Sequence, residues 1–130
     1  MAAIARAVLD TSVLVAANVA PLEGELAISA ASLAQLHYGA LVTDDVHVRA
    51  ERVRRLTLLE HLFTPLPIDD AVARSYGHLA SMLARSSRQP RDRVLDLLVA
   101  ATAHANDAAL YTRNASDLRG IEDSLQIVPV

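Results

Sequence analysis

A chain of 130 residues that is 52% hydrophobic, with 24 alanines against three tyrosines, one phenylalanine and no tryptophan, fits one domain, 1–130, built around a core of small aliphatics. The absence of cysteine excludes disulfides, thiolate metal sites and cysteine nucleophiles, and a net charge of -3 argues against a protein that coats nucleic acid by bulk charge. Met1 to Arg6 lacks the pattern of a secretion signal and no apolar run approaches the roughly 20 residues of a membrane span, so a cytoplasmic protein without membrane association is expected.

The first element is Ala7 to Val15. Val8 and Leu9 fit a strand buried on both faces, as in a parallel sheet, and the run breaks on Asp10, followed by Thr11 and Ser12. Open α/β sheets bind ligands beyond the carboxyl ends of their strands, which is where Asp10 stands. The same residues would equally cap a short helical run from Val13 to Ala17, and the stretch alone leaves both readings open. Asn18 to Glu25, with Pro21 and Gly24, reads as a loop. Leu26 to Ser29 is a short strand, and Ser29 or Ser32 caps a helix whose apolar positions Leu33, Leu36, Ala40 and Leu41 recur at helical spacing. Gln35 and His37 are its notable polar groups.

A second helix runs from about Asp45 to His61, with Val46, Val53, Leu56 and Leu59 expected inward and its arginines outward. Phe63 to Ile68 carries Pro65 and Pro67 and is an irregular or edge strand. Asp69 or Asp70 caps a further helix ending in the polar loop Arg85 to Gln89. Pro90 then opens a helix that is apolar nearly all round, so it is expected to be buried, with Asp96 in its middle. A charge placed there is costly unless paired or bound to a metal. Ala109 to Thr112 is a strand, Arg113 to Gly120 a loop and turn, and Leu125 to Val130 a last strand. Strands alternating with helices point to a parallel α/β sheet.

Three carboxylates thus occupy comparable places: Asp10 after the first strand, Asp96 in the apolar helix, and Asp117 just beyond the Leu110-Tyr111-Thr112 strand. Hard divalent cations prefer oxygen ligands and keep several waters, so a few carboxylates drawn from distant sequence are the expected protein share of such a site. Bound ions of this kind activate water for phosphodiester cleavage without a nucleophilic side chain. Each acid also has a plainer reading. Asp117 would serve as a turn residue beside Asn114 and Ser116, and Asp96 would pair with Arg93 or another arginine. Asp92, beside Arg91 and Arg93, reads as a first-turn helix charge. The five histidines show no HExxH or paired spacing and are expected at or near the surface, and the chain has no phosphate-binding glycine loop. All twelve basic residues are arginine, clustered at 49–55 and 85–93, a residue suited to bidentate phosphate contacts and equally to a solvated helix face.

The segments Leu-Asp10-Thr-Ser, Asp96-Leu-Leu-Val-Ala-Ala-Thr-Ala103 and Leu110-Tyr-Thr-Arg-Asn-Ala-Ser-Asp117, in this order and spacing, resemble the PIN-domain toxins of VapBC toxin–antitoxin systems, over almost the whole chain. The resemblance implies an α/β/α sandwich around a mainly parallel sheet of four to five strands. It implies a Mg²⁺- or Mn²⁺-dependent endoribonuclease acting on cellular RNA. Asp10 and Asp96 match the family's acidic ligands, and the last polar ligand falls at Asn114 or Asp117, with Thr11 or Ser12 supporting the first acid or orienting metal-bound water. Family members are homodimers neutralised by a cognate antitoxin whose carboxy-terminal segment enters the groove near the acids, and the apolar helices after Gln35 would supply such surfaces. One departure stands out: the family's usual glutamate is Gln35 here, which keeps a carbonyl oxygen but removes a charge that would favour a hard cation.

The expected function is therefore a toxin ribonuclease with Asp10, Asp96 and Asp117 as principal ligands, assisted by Asn114 and Gln35, and with Arg88, Arg91, Arg93 and Arg113 as candidate contacts to RNA phosphates. The alternative is an attenuated PIN domain that acts by binding RNA or antitoxin, which Gln35 keeps open. A phosphatase with Asp10 as nucleophile would normally carry a second aspartate two residues on, where this chain has Ser12.

Overall fold

The structure, a computed structural model, describes residues 3–16 and 19–130. Strand β1, Arg6–Leu9, runs into a single helical turn α1, Thr11–Leu14, and is followed by β2, Glu25–Ala27, α2, Ala30–Val42, α3, Val46–Leu62, and α4, Asp70–Arg85. A 3-10 turn at Pro90–Arg93 leads into α5, Val94–Ala105, then β3, Ala109–Thr112, a second 3-10 turn at Ala115–Leu118, and β4, Ile127–Pro129. The four strands form one parallel sheet in the order β2-β1-β3-β4.

Alternation along the strands explains both the apolar runs and the layers. Val8 of β1 and Leu110 of β3 turn to one face, where they join Val72, Leu79 and Leu83 of α4 and Leu97 and Ala101 of α5. Their neighbours Ala7, Leu9, Ala109 and Tyr111 turn to the other, against Val13, Leu14, Ile28, Leu36 and Leu59. A strand covered on both faces cannot spare a polar position until it ends, so the apolar run stops where the sheet stops. The three-layer α/β/α architecture expected from the sequence is the one found.

Local chemistry sets the helix starts. Ser29 caps α2 by accepting from Ala31 N–H, Asp45 caps α3 by accepting from His47 and Val48 N–H, and Asp69 caps α4 by accepting from Val72 N–H. Arg52 donates to the Gly39 carbonyl at 2.8 Å and Arg49 to that of Thr43 at 2.7 Å, so part of the 49–55 arginine cluster serves the end of α2.

Several expectations are corrected. In α3 only Leu56 is buried and Leu59 is partly so, while Val46 and Val53, expected inward, are 72% and 44% exposed. Leu41 of α2 is likewise exposed. The expected strand Leu26 to Ser29 starts one residue earlier and ends at Ala27, leaving Ser29 as a cap. The last strand is only Ile127–Pro129. Pro90 opens a 3-10 turn rather than the α-helix itself, because Arg93 leaves helical geometry at φ -132°, ψ 26°. Helix α5 therefore begins at Val94, whose side chain, like that of Leu95, is exposed, and Asp96 lies in the first turn of the helix, half-buried. Ala17 and Asn18, where the first helical run was expected to end and the loop to begin, lie outside the described residues.

Candidate active site

From β1 the chain moves to β2 on one side and, after the helices, to β3 on the other, so strand order reverses between β1 and β3. The carboxyl ends of these two strands flank the crevice where doubly wound sheets bind ligands. Asp10 follows β1 there, with its backbone N–H donating to the Tyr111 carbonyl at 2.9 Å. It takes the N-cap position of α1, but its side chain makes no capping bond. The carboxylate is held across the crevice instead: Oδ2 accepts from the Ser12 hydroxyl at 2.7 Å and from the Thr112 hydroxyl at 2.9 Å. Those hydroxyls accept in turn from the backbone N–H groups of Arg113 and Asn114, both at 3.0 Å, which ties the loop after β3 to Asp10. Oδ1 makes no hydrogen bond among the described residues.

Asp96 approaches from α5. Burial, and after it the charge of Asp10, raise its pKa above the ordinary carboxylate value, with a further push from Asp117, while a hydrogen bond from Gln35 and the charge of Arg93 oppose the rise. Gln35, half-buried on α2, accepts at Oε1 from the hydroxyl of Thr11, which also lies 2.9 Å from Ser32 Oγ. Its amide oxygen is thus engaged, and its NH₂ end is the one that serves Asp96.

Asp117 belongs to the 3-10 turn after β3 and is partly withdrawn from the other acids. Its Oδ1 is 3.3 Å from Arg93 Nη2, and Arg88 Nη2 is 3.5 Å from its carbonyl oxygen. Asn114, exposed, precedes that turn as its N-cap and makes no side-chain capping bond. Arg91 and Arg93 line a cleft together with Gln35 and Asp96. Arg113 is exposed beside Ser12.

The donor chemistry fits a hard divalent cation. Asp10 and Asp96 carry no ion pair among the described residues, Asp10 is held by one oxygen with the other unbonded, and the side chains bonded to Asp10 are hydroxyls, with no sulfur or imidazole among them. Among the described residues, however, no three acids or histidines converge on a single ion position, since Asp117 is turned toward Arg93. Thr112 escaped the sequence reading as the second support of Asp10. The available signal was a hydroxyl at the carboxyl end of an otherwise apolar strand. The histidines lie elsewhere: His78 and His104 stack at 5.6 Å between ring centres and bond Ser124 and Ser75.

Residues 7–121 match the PIN domain family. Ribonuclease VapC5 of Mycobacterium tuberculosis is 34% identical over 116 residues, which cover 85% of this chain and 84% of that protein. The crystal structure of VapBC-5, a member of the VapBC family of toxin–antitoxin systems from the same organism, superposes with a TM-score of 0.83 at 32% identity, over 97% of this chain and 99% of that one. VapBC2 from Rickettsia felis, bound to a DNA fragment from its promoter, gives a TM-score of 0.76 at 21% identity over 95% of this chain and 98% of that one, a likeness of fold.

Proposed function

The chain belongs to the PIN-domain family and is a relative of the VapC ribonucleases, and from that premise we propose that it is the toxin of a type II toxin–antitoxin pair, an endoribonuclease that hydrolyses cellular RNA at the Asp10–Asp96 crevice. The observation that carries the reading is the pairing of these two acids at the sheet's switch point, neither of them in an ion pair among the described residues. A protein keeps such charge density where a ligand neutralises it. The family reading favours catalysis over a pure binding module.

Mg²⁺ or Mn²⁺ held by Asp10 and Asp96 would supply Lewis-acid activation of a water and neutralisation of the charge that develops on the phosphate. The chain's own groups do the rest. Ser12 and Thr112 fix Asp10 Oδ2 and leave Oδ1 to face the ligand. Thr11 orients Gln35, and Gln35 steadies Asp96. Asn114 and Asp117, on the loop tied to Asp10, would complete the ligand set, and Arg88, Arg91, Arg93 and Arg113 would contact RNA phosphates.

The antitoxin, a VapB-like chain, would enter the groove between α2 and α3. That groove is lined by Leu36, Leu56 and Leu59, flanked by Arg52 and Arg55, and reaches Thr11 and Gln35 at its inner end, so a segment lying in it would arrive at the acids. Tyr38, Leu41, Val42 and Val46 of α2 and α3 are also exposed apolar side chains, and a homodimer would cover some of them. No described helix is long and apolar enough to cross a membrane.

The test is cleavage of total RNA and of tRNA by the purified chain with Mg²⁺ or Mn²⁺. Cleavage is expected, with EDTA or Asp10→Asn abolishing it; cleavage that persists in EDTA would exclude the metal reading. Arg91→Ala is expected to weaken RNA binding for all sequences alike and to reduce the salt slope by about one, the signature of a single lost phosphate contact. An unchanged slope in a filter-binding series would remove Arg91 from the RNA surface.

A further inference from the structure

Arg93 stands in a poor place for a cation. It is the N-cap residue of α5, where the free N–H groups already carry positive partial charge, and its own side chain makes no capping bond. Its compensation comes from Asp117 at 3.3 Å, with both side chains 36% exposed, and from the nearby charge of Asp96. Of the three acids at the crevice, Asp117 alone carries an ion pair among the described residues, and its occupant lines the same cleft as Gln35, Arg91 and Asp96.

We propose that Arg93 is an exchangeable internal counter-cation: it holds Asp117 while no divalent cation is bound, yields that oxygen when one enters, and so frees its guanidinium for an RNA phosphate. The inference rests on the metal-nuclease reading above and adds to it a coupling between cation and RNA. Three physical points support the exchange. A partly exposed ion pair contributes little, so giving it up costs little. A doubly charged ion outcompetes a single, delocalised positive charge for a carboxylate oxygen at the same place. The guanidinium fork fits phosphate as well as carboxylate, so Arg93 exchanges one good partner for another. By linkage, a cation that releases Arg93 raises RNA affinity, and bound RNA raises cation affinity by the same factor.

The experiment is a calorimetric titration of the full chain with Mn²⁺, comparing wild type, Arg93→Ala, Asp117→Asn and the double variant, each checked for folding by circular dichroism, with Arg93→Met retaining the apolar stem if Arg93→Ala is unstable. Removal of the competitor is expected to tighten Mn²⁺ binding by about twofold to fivefold, the scale of a partly exposed pair. In the Asp117→Asn background the same change is expected to tighten binding clearly less, by no more than the field of Arg93 at Asp96 supplies, because no carboxylate remains to be released. A second readout is the affinity for an RNA whose 2′-deoxy substitution blocks cleavage: Mn²⁺ should raise it more for wild type than for Arg93→Ala. Unaltered or weaker Mn²⁺ binding in Arg93→Ala overturns the proposal and leaves the metal site standing. Equal tightening in both backgrounds also overturns it, since Arg93 would then act only through its general field. If folded wild type takes up no Mn²⁺ at all, the underlying metal reading fails and the exchange fails with it.

Discussion

Asp96→Asn is expected to lose RNA cleavage by about a thousandfold while melting about 1–3 °C higher than wild type in EDTA at neutral pH. The loss of rate corresponds to about 4 kcal/mol, the several kcal/mol that a metal supplies to transition-state charge when a ligand still holds it. The gain in stability follows from the position of the acid. Burial first, and the charge of Asp10 second, raise the Asp96 pKa, and the bond from Gln35 and the charge of Arg93 do not reverse the shift. The positive end of α5 also favours the carboxylate, and is outweighed. A raised folded pKa means that the folded chain holds this proton more tightly than the unfolded chain does. The associated stability is complete below the ordinary carboxylate range and is lost as pH rises through the raised folded value, so at neutral pH the ionised acid weakens the fold. Asparagine keeps the shape and removes the charge. Solvent screens a half-exposed group, which keeps the gain small. The difference between variant and wild type should close as pH falls below the ordinary carboxylate range. Added Mg²⁺ should also narrow it, because the cation stabilises only the protein that binds it. A variant that melts below wild type in EDTA at pH 7 would show the carboxylate to be a structural contact instead.

The parts of this fold that were legible in the sequence are those fixed by local rules. Val8-Leu9 and Leu110-Tyr111 announce strands covered on both faces, because no polar residue is tolerated until the sheet ends, and Asp10 is visible as the residue that ends it. The cap at Asp69 is visible for the same kind of reason, its side-chain oxygen taking up an N–H group of the turn that follows. What was not legible depends on partners far along the chain. Thr112 reaches Asp10 from 102 residues away. The helix break at Arg93 is a matter of one residue's φ and ψ, and it moves Asp96 from the interior of a helix to its first turn. Periodicity places Val46 and Val53 on the apolar side of α3 but does not say how wide a stripe α2 covers, and it covers only the seam at Leu56 and Leu59. His78 and His104 meet from different helices, beyond the reach of any spacing rule.

Gln35→Glu is expected to do the opposite of Asp96→Asn: to lower the melting temperature in EDTA and to tighten Mn²⁺ or Mg²⁺ binding by about tenfold, since the number of ligand charges tunes affinity for hard cations. In the wild-type site the amide is used at both ends. Its oxygen accepts from Thr11, and its remaining NH₂ end lowers an Asp96 pKa that burial and Asp10 raise. Glutamate would keep the bond from Thr11 through one oxygen. The other oxygen has no proton to give, so Asp96 would lose its donor and gain a like charge beside it. With no cation present three acids would then repel one another in a partly buried crevice, and the Asp96 pKa would rise further. A divalent cation would remove that repulsion, so its binding would release more free energy than in wild type. The observable is the rise in melting temperature on adding saturating Mg²⁺, expected to be larger for Gln35→Glu than for wild type and close to zero for Asp96→Asn. An equal rise in wild type and Gln35→Glu would place position 35 outside the cation's reach and reduce Gln35 to a strut between Thr11 and Asp96.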